Sequence, residues 1–249
     1  MTAFRRSLKL AFSAPLALAL VACGGEADGD TLEGDVIAPI EAPAGTNWGE
    51  TVTVSESDGY ILGNPDAPLK LVEYASHTCG GCASFAAQAK PGIKEYVATG
   101  VVSFEQRNLV RDPIDLTIAT LVRCGPKENM QTLSDMAWED YAAPIVAAQN
   151  NPQAMDAANR LPVEEKFLAF ADITGLDDFF AARGISADQQ RACLTDAEKI
   201  QSIADNSTAQ GAELEINQTP TFILNDRKLD ALGWEDLEAT LQRAGARQE

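Results

Sequence analysis

The period of the apolar positions changes twice along this chain. Leu69-Lys70-Leu71-Val72-Glu73-Tyr74-Ala75 is a short, almost continuous apolar run of the kind a buried strand carries. Directly after it, Cys82, Phe85, Ala86, Ala89, Ile93, Tyr96 and Val97 recur at helical spacing. They predict a helix from Cys79 to about Thr99, with Pro91 as a kink and Gly100 as its stop. Val101-Val102-Ser103-Phe104-Glu105 reads as a second, parallel strand, which completes a βαβ unit. Between residues 113 and 212 strand signals give way to helical ones. Candidate helices are 113–123, 127–149, 163–173, 176–183, 186–194 and 196–211, broken by Gly125-Pro126, Asn150-Asn151-Pro152, Gly175 and Gly184. Ser186 with Gln189 has the form of a capping box. Strands return at Pro220-Thr221-Phe222-Ile223-Leu224, with Asn225-Asp226-Arg227 as a turn and 228–232 as the hairpin partner. Gly233-Trp234-Glu235-Asp236-Leu237 opens a last amphipathic helix. Upstream, Thr51-Val52-Thr53-Val54 alternates like an edge strand, and 59–68 is a loop into the first buried strand. The class is α/β, with a helical block inserted into a strand-rich scaffold.

The N-terminus stands apart from this pattern. Arg5, Arg6 and Lys9 form a basic region, and an apolar stretch from Leu10 to Leu20 follows, short for a bilayer span. Leu20-Val21-Ala22-Cys23 then resembles a bacterial lipobox, which implies a lipidated Cys23 as the first mature residue. The plainer alternative is an ordinary cleaved signal with an incidental cysteine. Residues 23–69 hold ten acidic side chains and no Lys or Arg. Their Gly-rich beginning is too polar to fold alone and reads as a flexible tether. Loss of residues 1–22 removes three positive charges, so the net charge moves from −18 to −21. Such a balance argues against nucleic acid and against attraction to anionic lipid, and leaves acyl chains as the means of membrane attachment.

Cys79-Gly80-Gly81-Cys82 lies where the strand meets the helix. Two thiols three residues apart can close a small ring, and the first faces the free N–H groups and positive dipole end of the helix. Such a position lowers a thiol pKa and makes the sulfur a nucleophile, exposed in Cys79 and shielded in Cys82. With Cys23 assigned to lipid, four cysteines remain, and an even number in an exported chain favours disulfides. The close Cys79/Cys82 pair leaves Cys124 with Cys193 as a structural bridge. The alternative is two buried thiols packing as small apolar groups. A four-cysteine zinc site would call for a second Cys-x-x-Cys knuckle, which the sequence lacks, so no metal is assigned.

The segment Val72-Glu73-Tyr74-Ala75-Ser76-His77-Thr78-Cys79-Gly80-Gly81-Cys82, with Thr219-Pro220-Thr221-Phe222 far downstream, resembles the DsbA-like branch of the thioredoxin superfamily. The likeness runs over roughly residues 56–249. It implies a thioredoxin-like fold with an inserted helical domain: leader 1–22, acidic tether 23–55, thioredoxin-like halves 56–112 and 200–249, and helical insertion 113–199. It implies Cys79 as the attacking thiol, Cys82 as the resolving one, and Glu73 as a buried proton acceptor near the resolving sulfur. The alternative for Glu73 is an ordinary, partly exposed strand carboxylate. It also implies that Pro220 follows a cis bond and that the Thr219 backbone pairs with an extended substrate. The sequence departs from oxidising members at Gly80-Gly81, where many have Pro-His, and this points to a more reducing potential. His77 reads as an exposed loop residue, with electrostatic help to Cys79 as the alternative.

The resemblance thus implies a thiol:disulfide oxidoreductase without a cofactor, forming disulfides in reduced or unfolded exported proteins. It would be lipid-anchored at the periplasmic face of a bacterial envelope and recycled by a membrane redox partner. Isomerase or reductase activity, or a non-catalytic binding module of the same fold, are the alternatives.

Overall fold

Among the residues that the computed structural model describes, 32–230 and 233–246, six strands form one sheet. They are β1 (Val52–Val54), β2 (Tyr60–Gly63), β3 (Leu69–Ala75), β4 (Val102–Asn108), β5 (Thr221–Leu224) and β6 (Arg227–Lys228), in the order β1-β2-β4-β3-β5-β6. β3 and β4 are parallel and every other pair is antiparallel. The expected leader, residues 1–22, and Cys23 lie outside the described residues.

The parallel pair requires a crossover, and α1 (Gly80–Ala98) supplies it. Its apolar stripe, Phe85, Ala86, Ala89, Ile93, Tyr96 and Val97, is buried on the sheet, where Phe85 meets Phe222 at 4.5 Å between ring centroids. The helix runs through Pro91, which has no N–H to give to the preceding turn. It ends at Gly100, whose φ of 74° is left-handed, and a Cβ there would also collide with the Ile40 carbonyl and the Trp48 indole.

The helical block consists of α2 (Pro113–Val122), α3 (Met130–Glu139), α4 (Ala142–Asn150), α5 (Pro152–Asn159), α6 (Val163–Thr174), α7 (Leu176–Ala181), α8 (Ala187–Leu194) and α9 (Ala197–Glu213). A final helix, α10 (Trp234–Arg243), packs beside α1, with the Tyr96 hydroxyl 3.1 Å from Glu238 Oε1. α9 covers the other sheet face: the Tyr74 hydroxyl donates to Gln210 at 2.9 Å, and Ser207 Oγ accepts from the Val110 N–H at 2.7 Å. Cys124, just past α2, is joined by a disulfide to Cys193 in α8.

Six readings differ in the structure. Residues 59–68, expected as a loop, carry β2 at Tyr60–Gly63, whose backbone pairs with both β1 and β4. The stretch after Asn150-Asn151, expected to break the helical pattern, opens α5 with Pro152 at its first position. The expected helix 127–149 is broken near Asp140, because Pro144 has no N–H to carry an unbroken helix and sits in the first turn of α4 instead. The border expected at 199/200 falls inside α9. The hairpin turn is two residues, Asn225 and Asp226, with φ of 47° and 65°; β6 therefore starts at Arg227, one residue early, and residues 231–232 lie outside the described set. The described part of the acidic tether is not free chain. Ile40 N–H donates to Thr99 O, Gly34 N–H to Arg243 O and Ile37 N–H to Gly245 O, all at 2.8–3.0 Å. These carbonyls belong to the C-terminal ends of α1 and α10, which have no partners inside their helices. The arm then continues into the edge strand β1.

The disulfide closes a loop of 69 residues in sequence separation, for which loop-closure entropy allows about 4 kcal/mol. Replacing Cys124 and Cys193 together by Ala is expected to lower the unfolding free energy in urea by about 2–4 kcal/mol. The alkylation rate of Cys79 should stay unchanged. An unaltered denaturation midpoint would show that the bridge does not stabilise the helical block.

Candidate active site

The loop between β3 and α1 is held from the helical block. Asp112 caps α2, its Oδ1 accepting from the Ile114 and Asp115 N–H groups at 2.9 Å, while its Oδ2 takes the Thr78 hydroxyl at 2.6 Å. Asp115 accepts the His77 N–H at 2.8 Å, and Trp138 of α3 donates its indole N–H to the Ser76 carbonyl at 3.0 Å. Three successive residues before Cys79 are thereby fixed.

His77 is not the exposed residue that its loop position suggests. Helices α2 and α3 cover it completely. Its Nε2 lies 2.8 Å from Ser134 Oγ, its Nδ1 lies 3.5 Å from Asp115 Oδ1, and its ring stacks on Trp138. Ser134 Oγ also accepts from Gln106 Nε2 at 2.7 Å and contacts the Tyr60 hydroxyl at 3.1 Å. The order Ser134–His77–Asp115 is that of a hydrolytic triad, but no substrate reaches it, because all three side chains are wholly buried. The cluster joins strands β2 and β4 to α2 and α3 behind the cysteine loop.

Cys79 is the N-cap of α1. Its sulfur accepts the Cys82 N–H at 3.4 Å, replacing one of the bonds that the first helical turn lacks. Across from it, the Thr219–Pro220 peptide is cis, and the Cys79 thiol reaches the Thr219 carbonyl at 3.3 Å. Cys79 is 5% exposed, against 0% for Cys82, so the expected open nucleophile is in fact nearly covered. Trp138 and Tyr141 close over the pair from the helical side, and a Cβ on Gly80 would lie 3.3 Å from the Tyr141 hydroxyl. A Cβ on Gly81 would meet only ordinary contacts with Pro220 and the Cys79 sulfur, at 3.5 and 3.6 Å.

The two thiols are pushed apart in acidity. A hydrogen bond from the Cys82 side chain, helped by Thr219 and the N–H groups of Cys82 and Gly81, brings Cys79 down to about 5 against the opposing effect of burial. The same hydrogen bond, together with burial and the nearby Glu73 charge, drives Cys82 far above its ordinary value. One sulfur holds the charge and the other holds the proton.

Glu73 lies in β3 between Gln106 of β4 and Phe222 of β5, completely buried. Burial raises its pKa to about 7, although Lys90, whose Nζ is 3.6 Å from Oε2, favours the carboxylate. Lys90 went unread in the sequence. Its signal was its position on the apolar stripe of α1, one residue after Ala89 and three before Ile93, where it is only 5% exposed. Asp135, Trp138 and Tyr141, which come from the helical block, had no comparable signal. Cys124 and Cys193 are bonded to each other at a distance in sequence from this centre, and their sulfurs are not free to act as metal ligands.

A capped, acidic thiol, a buried proton-bearing partner and a cis-proline peptide beside the acidic thiol form a site suited to dithiol–disulfide exchange. The chain belongs to the thioredoxin family, whose model, described as Thioredoxin, matches residues 55–243. A crystal structure of protein-disulfide isomerase from Novosphingobium aromaticivorans is similar at 28% identity and a TM-score of 0.70, over 76% of this chain and 97% of that one. Wolbachia pipientis alpha-DsbA1 shares the fold at a TM-score of 0.61 and 21% identity, over 77% and 93% of the two chains. Among curated proteins, one from Rickettsia bellii, provisionally named protein-disulfide oxidoreductase, is 24% identical over 195 residues. That match takes in 78% of this chain, which spans about two thirds (67%) of the relative's length.

The depressed Cys79 pKa predicts a pH profile. Alkylation of Cys79 should be level above about pH 6 and fall away through pH 5, whereas an ordinary thiol falls away near 9. The folded value is below the unfolded one, so the thiolate stabilises the reduced protein fully above about pH 9, and that stability is lost as pH falls through 5. The disulfide form has no such group, so the unfolding free energy of the reduced protein should rise relative to that of the oxidised protein from pH 5 to 9. A constant difference between the two would contradict the assignment.

Proposed function

We propose that this protein is a thiol:disulfide oxidoreductase of DsbA type that forms disulfides in exported proteins. The observation that carries the reading is the Cys79 sulfur at the head of α1, accepting the Cys82 N–H beside a cis Thr219–Pro220 bond. In the forward direction a substrate thiolate attacks Cys79 of the Cys79–Cys82 disulfide. The bond between the two cysteines breaks, and Cys82 leaves and takes the proton of Glu73. A second substrate thiolate then attacks the substrate sulfur of the mixed disulfide, and Cys79 leaves as the thiolate that its site stabilises. Two electrons pass from the substrate dithiol to the enzyme. A low-pKa leaving thiolate favours donation of the disulfide, which supports the oxidase direction. The half-buried Thr219, beside the sulfurs, is suited to pair its backbone with an extended client.

Export is supported by the basic N-terminal region, by Leu20-Val21-Ala22-Cys23, and by a disulfide between Cys124 and Cys193 that persists in oxidising compartments. In this reading Cys23 carries the lipid, the domain stands at the periplasmic face of a bacterial envelope, and a membrane redox partner removes the two electrons after each turnover. The isomerase name of the Novosphingobium structure favours a second reading, disulfide reshuffling at the same site. Against it, the described part of the N-terminal arm packs on its own domain and builds no separate dimerisation module.

Replacing Cys82 by Ala should trap clients as mixed disulfides at Cys79, and replacing Cys79 should abolish exchange. The wild-type disulfide form should oxidise a reduced model substrate faster than it restores a scrambled one. Efficient rescue of scrambled substrate with poor oxidation would transfer the assignment to the isomerase. Absence of any trapped adduct would remove the exchange function altogether.

A further inference from the structure

A file of alternating charges leads from the buried centre of the sheet to solvent. Glu73 in β3 has neither carboxylate oxygen in a hydrogen bond among the described residues. Lys90 of α1 places Nζ 3.6 Å from Glu73 Oε2 and 3.5 Å from Asp135 Oδ1 of α3. The ammonium is packed 4.0 Å from the Phe104 ring centroid and 5.1 Å from that of Trp138, which keep water from surrounding it. The other oxygen of Asp135 takes Lys94 Nζ at 2.9 Å, and Lys94 is half-exposed. A groove of about 650 Å³ between α1 and α3, lined by Lys90, Lys94, Asp135 and Trp138 among others, opens on this end of the file.

One buried ammonium lies between two carboxylates at nearly equal distance, so its field is divided. We propose that Asp135 is a positioning residue which, through Lys90, sets the proton affinity of Glu73, the acid–base partner of Cys82. The assignment rests on the exchange role given to Cys79 and Cys82 above. Whatever strengthens the hold of Asp135 on Lys90 leaves Glu73 less compensated and keeps its proton on; whatever weakens that hold lets Glu73 ionise. Lys94 is the surface control, because it neutralises Asp135 from outside. The helical block thereby reaches the resolving sulfur electrostatically, through a residue outside the cysteine loop. Other groups facing the set are Cys79 and Cys82 at the head of α1, Tyr60 of β2 with Arg123 at the end of α2, and His77 across Ser134. Among these causes, Lys90 lowers and Asp135 raises the Glu73 value, in keeping with the geometry.

The experiment is a carbon-13 carboxyl NMR titration of Glu73 in the reduced protein, wild type against Asp135→Asn and Lys94→Gln. Asp135→Asn should lower the Glu73 midpoint by roughly one pH unit. Lys94→Gln, at a half-exposed side chain, should raise it by a smaller amount. The pH dependence of Cys82-driven release of a preformed Cys79 mixed disulfide should move in the same two directions, with the Cys79 alkylation profile unmoved. Midpoints that stay put in both variants, or that shift in the same direction, overturn the proposal. The NMR midpoint is read without substrate, so opposite shifts in a protein that fails to exchange would uphold this coupling and count against the exchange function alone.

Discussion

The bond from the Cys82 N–H to the Cys79 sulfur is the interaction on which the rest depends. A helix start offers unsatisfied N–H groups, and here a sulfur takes the place that Ser, Asp or Asn fills elsewhere. An anion is better suited to that place than a neutral thiol, so the fold favours the thiolate. The geometry holds only if the residues before the cap cannot drift. That explains why Ser76, His77 and Thr78 are each tied to α2 or α3, and why the helical block packs where it does.

This support carries an energetic burden. Glu73, Lys90, His77, Asp115, Ser134 and Gln106 are all buried, and buried polar groups destabilise unless they are paired. Most find partners in one another. Glu73 and Lys90 are only loosely paired, at ion-pair rather than hydrogen-bond distance, and that looseness keeps the carboxyl able to change its protonation. Tight pairing would have stabilised the fold and fixed Glu73 as a carboxylate. Stability and chemistry therefore ask opposite things of the same residue, as is common where a site needs a perturbed acid.

Much of this was legible in the sequence where local rules act alone. The change from an apolar run to helical spacing located β3, the cap and α1, and the cysteine pair stood out at their junction. The hairpin was found but begun one residue late, since the left-handed pair Asn225-Asp226 closes it in two residues. The docked arm was missed because its backbone makes the contacts, and side-chain pattern carries no trace of N–H groups meeting the free carbonyls of distant helix ends. His77 was misread for a related reason: a polar loop residue is buried only because α2 and α3 return over it, and that is a property of the tertiary fold. Lys90 was readable, as a cation on an apolar stripe, whereas Asp135 acquires its role only when α3 is laid against α1.

The most direct test of the central claim is the equilibrium of the Cys79–Cys82 pair with glutathione at neutral pH. A thiolate stabilised at the helix cap makes the reduced form favourable and the disulfide easy to give away. Glycines between the cysteines leave that stabilisation to the Cys82 thiol, Thr219 and the backbone N–H groups. The account therefore predicts a reduction potential above the roughly −270 mV of thioredoxin and below the roughly −120 mV of the strongest oxidase of the DsbA type. A potential at or below that of thioredoxin would contradict it, because the capped sulfur would then bring no advantage to the reduced state.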